Sequence, residues 1–242
     1  MLGAYRLPIS FDTRRLLADL DQVESKVDWL NHPDYTVAQA GDWTAVALLS
    51  SASQDHHDPE SLRYRGQGVA RPTPVLTQCP YLTEVLASFK TDVHRARLMN
   101  LRPGKKISEH RDFGAQRYSV ERGFMRVHIP IRTHHDVHWR LRGRTIPMKP
   151  GEAWYLNVCE PHSVENASNV HRVHLVLDMR VNDWVRSLFP PQTLSQRLYG
   201  VVVRNFEPGY LRWKVRATDS LMVGRRRLGD LGLRRLRDAL RS

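Results

Sequence analysis

Between Ala96 and Met179 the apolar residues fall at every second position in short runs broken by turn formers, a period that few architectures accommodate. The runs are ARLMNL before RPGKK, FMRVHIPI before RTHHD, VHWRL before RGR, TIPM before KPGE, AWYLNV before CEPHS, and finally HRVHLVLDM. Successive side chains of a strand point to opposite faces, so each run offers one apolar and one mixed face. Five or six such strands, about ten residues apart, predict an antiparallel barrel or jelly roll. The fold class expected is mainly β with flanking helices.

The flanks have a different texture. Leu16, Leu17, Leu20, Val23, Val27 and Leu30 recur at helical spacing and predict a helix from Thr13 to Leu30. GDWTAVALLSS, Gly41 to Ser51, reads as a strand. The Ser-, Asp-, Gly- and Pro-rich stretch 52–74 reads as a long loop, and Cys79 to Thr91 as a second helix with Pro80 in its first turn. Two helices ahead of a sheet are expected to cover its outer face. Helical spacing returns from Trp184, with a turn-rich break at NFEPGY before the Arg/Leu stretch Arg225 to Arg241.

The 242 residues suit one large domain with an appendage, and a 41% hydrophobic content is enough for a packed core. No apolar run reaches the roughly 18 residues of a membrane span, and the N-terminus lacks a signal-peptide pattern. Two cysteines, Cys79 and Cys159, make no disulfide framework, so buried thiols in a reducing, cytoplasmic setting are expected. The net charge of +12 is uneven. Residues 191–242 carry 12 basic against 4 acidic residues, a net of +8, whereas residues 1–190 carry 25 against 21. The expected domains are therefore a β-rich body, 1–190, and a basic, helical extension, 191–242. No nucleic-acid module accompanies that charge, so a solubilising helix docked on this chain or on a second subunit is the favoured reading. Nucleic acid and membrane are not expected partners, and a homodimer is left open.

Chemistry concentrates in a few positions. In SEHRDFG, His110 and Asp112 are two apart and project together from an extended strand, as two ligands of a divalent metal do. His162, in the turn-like EPHSVEN, lies 52 residues on, where the first and last strands of a jelly roll's small sheet come together. Two histidines and one carboxylate on one face leave adjacent coordination positions open, as in non-haem Fe(II) oxygenases. Zinc fits less well, because the cysteines lack paired spacing.

In VHRVHLVLD, alternation puts Arg172, His174 and Val176 on one face and Val173, Leu175 and Leu177 on the other. The apolar face must meet the helices, which turns Arg172 inward. A buried guanidinium needs an anion, and no acidic residue on neighbouring predicted strands offers one, so a ligand carboxylate is the expected partner. FMRVHIPI repeats the pattern, with Phe124, Arg126, His128 and Pro130 on one face and Met125, Val127, Ile129 and Ile131 on the other. Arg126 either lines the same interior or pairs a structural carboxylate. A polar interior suited to a small dicarboxylate beside a metal follows.

In order and spacing, RLMNLRPGKKISEHRD, RVHIPI, PGEAWYLN, HSVEN and RVHLVLD resemble the aspartyl/asparaginyl β-hydroxylases, including bacterial members related to proline cis-4-hydroxylase. The resemblance spans about residues 95–180, and WLNHPDY and GDWTAVALLS look familial too. It implies a double-stranded β-helix, Fe(II) and 2-oxoglutarate as cofactors, dioxygen as co-reactant, and hydroxylation of an amino acid, free or within a peptide. It further implies that His110, Asp112 and His162 hold iron, and that Arg172 grips the distal carboxylate of 2-oxoglutarate, assisted by His128 and Arg126. Vertebrate-type members lack the carboxylate at the position of Asp112, so this chain sits with the smaller bacterial ones.

Two other classes compete: a cupin-like protein that holds a carboxylate without turnover, and a nucleic-acid-associated protein working through its tail. His56, His57, His134, His135 and His138 read as surface residues, His171 as packing, Trp139 and Trp154 as core. Asn157 and Asn166 read as shaping the turns around His162, with Cys159 near it but no ligand. Arg63, Arg65 and Arg117 are candidates to receive an anionic substrate.

Overall fold

A computed structural model of the chain describes residues 3–32, 42–63, 69–112 and 119–191. The chain divides into two units, Met1–Gln192 and Thr193–Ser242, and the second lies outside the described residues, as does the expectation of a helical tail.

In the first unit the strands are β1 (Ala4–Ser10), β2 (Leu30–Asn31), β3 (Trp43–Ser50), β4 (Arg71–Pro72), β5 (Val93–Leu101) and β6 (Lys106–His110). They continue as β7 (Phe124–Arg132), β8 (Val137–Leu141), β9 (Arg144–Thr145), β10 (Glu152–Leu156), β11 (His162–Asn166) and β12 (Arg172–Arg180). The large sheet runs β1-β10-β7-β12-β5-β3-β2, with β4 on β3, and the small sheet runs β6-β11-β8-β9. From β5 onward the chain crosses back and forth between the sheets. The core strands of the large sheet are β10, β7, β12 and β5, all antiparallel. This winding is the jelly roll, or double-stranded β-helix.

The helices are α1 (Thr13–Lys26), α2 (Pro74–Thr77), α3 (Pro80–Ala87) and α4 (Asp183–Ser187). Val127, Ile129 and Ile131 of β7 and Val173, Leu175 and Leu177 of β12 share one buried core with Leu16, Leu20 and Val23 of α1 and Leu82 and Val85 of α3. Burying each such side chain contributes roughly 1.5–3 kcal/mol. That layer forces the other phase of β7 and β12 to face between the sheets. The buried Asp19 carboxylate ties the two helices by accepting from the Leu82 N–H at 2.7 Å. Asp12 caps α1 by accepting from the N–H groups of Arg14 and Arg15.

Several expectations are corrected. The first helix stops at Lys26, because Val27 turns extended and Leu30 instead pairs with Ala45 at the sheet edge. HSVEN is a strand, not a turn, held by β6 on one side and β8 on the other. RPGKK is the turn expected, ending where β6 begins at Lys106, while TIPM contributes only Thr145 to a strand. Residues 93–180 therefore hold eight strands, rather than five or six. Within 52–74 there is also a 3-10 turn, Pro59–Leu62.

One glycine is set by geometry. Gly151 has φ +78°, and a Cβ there would meet the Phe11 carbonyl oxygen at 2.4 Å. Its own N–H and C=O bond Pro130 and Phe11, locking the turn before β10.

Candidate active site

The small sheet brings His110 and His162 abreast, as register partners on β6 and β11. Their ring centroids are 4.2 Å apart. Asp112 follows β6, and its N–H donates to the Val158 carbonyl at 2.9 Å, which fastens it to the turn between β10 and β11. Asp112 Oδ1 lies 3.4 Å from His110 Nε2 and 3.7 Å from His162 Nε2. Ligand atoms of all three residues thus fall within 4.8 Å of one another.

The tautomers follow from the backbone. His110 Nδ1–H donates to the Ser108 carbonyl at 2.8 Å, and His162 Nδ1–H donates to the Glu160 carbonyl at 2.9 Å. Each neutral imidazole therefore keeps its Nε2 lone pair, on the side of Asp112, free for a metal, and when protonated there His110 donates to Asp112 instead. The hydrogen bond with Asp112 raises the His110 pKa, whereas burial lowers that of His162. Burial works against charge on Asp112, but Arg126 and the two imidazoles outweigh it and hold its carboxyl well below the ordinary range.

Arg126 is engaged twice. Its Nη1 donates to Asp112 Oδ2, while Nε donates to Asp178 Oδ1 at 2.6 Å and Nη2 to Asp178 Oδ2 at 3.1 Å. Of the two readings of Arg126, the geometry gives the carboxylate pair. Asp178 is fully buried and also takes Arg95 Nε at 2.7 Å and Arg97 Nη2 at 3.5 Å. Arg97 Nη1 donates to His32 Nε2, and the His32 ring stacks on Trp43 at 3.8 Å.

The other end of β12 differs. Arg172 is 2% exposed and has no carboxylate at ion-pair distance among the described residues. Its Nη2 donates to His174 Nδ1 at 2.9 Å. Arg172 Nε, His174 Nε2 and both nitrogens of His128 are buried without a hydrogen-bond partner among the described residues. Burial alone pulls the Arg172 pKa down to about 9, and burial with Arg172's charge keeps His128 and His174 neutral. His128 meets the His174 ring at 5.8 Å and the Trp139 ring edge-on at 5.9 Å; Trp139 in turn stacks on His162 at 5.4 Å. A continuous run of rings thus links Arg172 to the His110–Asp112–His162 cluster. Orphaned buried donors beside a guanidinium fit a carboxylate ligand, and the imidazole–carboxylate set fits Fe(II).

Other candidates fall elsewhere. His134, His135 and Asp136 also cluster, but they are three consecutive turn residues at the surface, with the His135 side chain 80% exposed. Asn166 staples the turn after β11 by donating to Leu101 and Val170, and Asn157 accepts from the Cys159 N–H. Trp139 is buried, and Trp154 donates to Glu152. Arg63 pairs with Glu60 at the surface, while Arg65 and Arg117 lie outside the described residues. Asp178, Arg95, Arg97 and His32 escaped sequence reasoning. Asp178 shares the inward phase of Arg172, so alternation is the signal that could have found it. Six positions along the strand set the two about 20 Å apart, too far to pair.

Fold and cluster together define a double-stranded β-helix protein with a two-histidine, one-carboxylate constellation. The model of the aspartyl/asparaginyl β-hydroxylase family matches residues 10–181, and the chain belongs to that family. It is 24% identical over 181 residues to L-proline cis-4-hydroxylase of Rhizobium meliloti (strain 1021), covering 74% of this chain and 61% of that protein. It is 29% identical over 178 residues to L-proline cis-3-hydroxylase 2 of a Streptomyces species, covering 70% and 57%. The chain thus spans about three fifths of the length of these curated relatives. A 2OG-Fe(II) oxygenase-family oxidoreductase from Burkholderia pseudomallei aligns at 16% identity and a TM-score of 0.45, over 75% of this chain and 86% of its own. Among the described residues, no helix is long and apolar enough to cross a membrane.

Proposed function

We propose that this protein is an Fe(II)- and 2-oxoglutarate-dependent hydroxylase acting on an unactivated C–H of an amino acid, free or within a peptide, in the cytoplasm. The observation that carries this reading is the convergence of His110, Asp112 and His162, linked through Trp139, His128 and His174 to Arg172, a buried guanidinium without a carboxylate partner among the described residues. The likeness to L-proline hydroxylases supports the substrate class.

In this reading His110 Nε2, Asp112 Oδ1 and His162 Nε2 hold the metal. Arg172 binds the distal carboxylate of 2-oxoglutarate, and its orphaned Nε fits a two-point grip. His174 is fixed by Arg172 in the tautomer that leaves Nε2–H as a donor, so it and neutral His128 line the same carboxylate site. Bound iron with 2-oxoglutarate and dioxygen supplies the oxidising power for hydroxylation, coupled to release of CO2 and succinate. The chain's residues orient these partners; Trp139, buried and stacked on His162, walls the metal side against water.

The test is succinate release from 2-oxoglutarate with Fe(II) and dioxygen, and a +16 mass shift in a panel of amino acids and peptides with L-proline first. Turnover lost in Asp112→Ala is expected. Retention of metal and 2-oxoglutarate without oxygen-dependent decarboxylation across the panel would favour a binding protein instead.

A further inference from the structure

We propose that Asp178 is a positioning residue for Asp112: working through Arg126, it commits one oxygen of Asp112 and leaves the other as a one-atom ligand for the metal. This rests on the metal reading above, but it concerns residues outside the ligand set. Register puts Asp178 of β12 directly beside Arg126 of β7 and Arg95 of β5. The guanidinium is a rigid plane with three nitrogens. Nε and Nη2 both face Asp178, so the plane is fixed, and Nη1 meets Asp112 Oδ2. Oδ1 alone is then directed at the Nε2 atoms of His110 and His162.

A carboxylate free to rotate can chelate a metal through both oxygens and so consume a further coordination position. One whose second oxygen is held by a charge-assisted hydrogen bond ligates through the first alone, leaving more positions to ligands from solution. Arg95 and Arg97 hold Asp178 in turn, so Arg126 has a rigid anchor and not merely a counter-charge. A mere counter-charge would stabilise the fold and leave the metal's surroundings unchanged.

The experiment loads the full chain with Co(II), whose visible spectrum reports its ligand geometry, and compares Asp178→Asn, Arg126→Lys and Leu82→Ala. Lysine keeps the charge of Arg126 but lacks the fork that engages both carboxylates. Asp178→Asn and Arg126→Lys are each expected to weaken Co(II) binding about 10- to 100-fold and to shift its bands. The double variant should weaken it little further than either alone. Leu82→Ala, in the outer layer, should lower the melting temperature and leave affinity and spectrum as in the wild type. If Asp178→Asn does not fold, Arg126→Lys decides on the same two readouts. Folded variants that bind Co(II) within twofold of the wild type with an unchanged spectrum overturn the inference. A wild-type chain that binds no Co(II) overturns the metal reading itself.

Discussion

On the inner face of β12, Arg172 and Asp178 lie six residues apart, equally buried and oppositely resolved. Asp178 carries its charge among Arg95, Arg97 and Arg126, which hold its pKa well below the ordinary range against the cost of burial. Among the described residues Arg172 meets a neutral imidazole and no acid, and burial lowers its pKa. Placing a charge out of water costs several kcal/mol unless it is paired. The Asp178 end is therefore complete in the protein alone, while in the proposed function the Arg172 end is completed by a ligand. Structural and functional charge can be told apart by what is missing.

The largest expected effect breaks the complete end. Arg126→Leu takes from half-buried Asp112 its arginine and from buried Asp178 one of its three, and should cost up to about 3–5 kcal/mol by denaturant unfolding. Arg172→Leu is the counter-experiment: it removes an uncompensated charge, so the unliganded protein should be no less stable. Equal losses from both variants would erase the distinction between the two ends.

Next in size is the ligand itself. Arg172→Gln should weaken 2-oxoglutarate binding, measured by calorimetry on the metal-loaded protein, by about 2–5 kcal/mol. Unfolding free energy should stay near the wild-type value.

Acid gives a third contrast. Burial lowers the pKa of His94 to about 4 and those of His32, His128 and His174 well below the ordinary histidine value. These groups are neutral when folded but protonate near pH 6.5 when unfolded, so the unfolded state binds more protons below that pH. Stability is full above pH 6.5 and falls as the pH drops toward 4, by about 1.4 kcal/mol per pH unit for each such group. 2-Oxoglutarate bound at Arg172 should flatten this slope only if it shields His128 and His174, which urea titrations with and without it would resolve.

The smallest effect sharpens the comparison from outside. Arg132 is on β7 with Arg126 but pairs with Glu24 and Asp21 of α1 at the surface. Arg132→Ala should cost only about 0.2–1 kcal/mol, and less as salt is raised.

Much of this was legible in the residues. Alternation fixed the phase of Arg126, His128, Arg172 and His174, because a helix-facing apolar set leaves the other set only the interior. The 52-residue step from His110 to His162 matched the closure of a small sheet. HSVEN was misread because it looks like a turn in isolation and is a strand only between β6 and β8. The first helix overran because Val27 and Leu30 keep helical spacing while the sheet edge takes Leu30.

By itself the amino-acid order determined most of the element types, the inward face of the long strands and the short list of groups able to do chemistry. All of these depend on covalent geometry repeating over two to four residues. Only the tertiary structure decided which inward charges meet: Asp178 with an arginine 83 residues earlier, Arg126 with both Asp112 and Asp178, and Arg172 with no acid among the described residues. Pairing across strands depends on register, which many distant contacts set together, and a one-residue slip would have reversed every assignment.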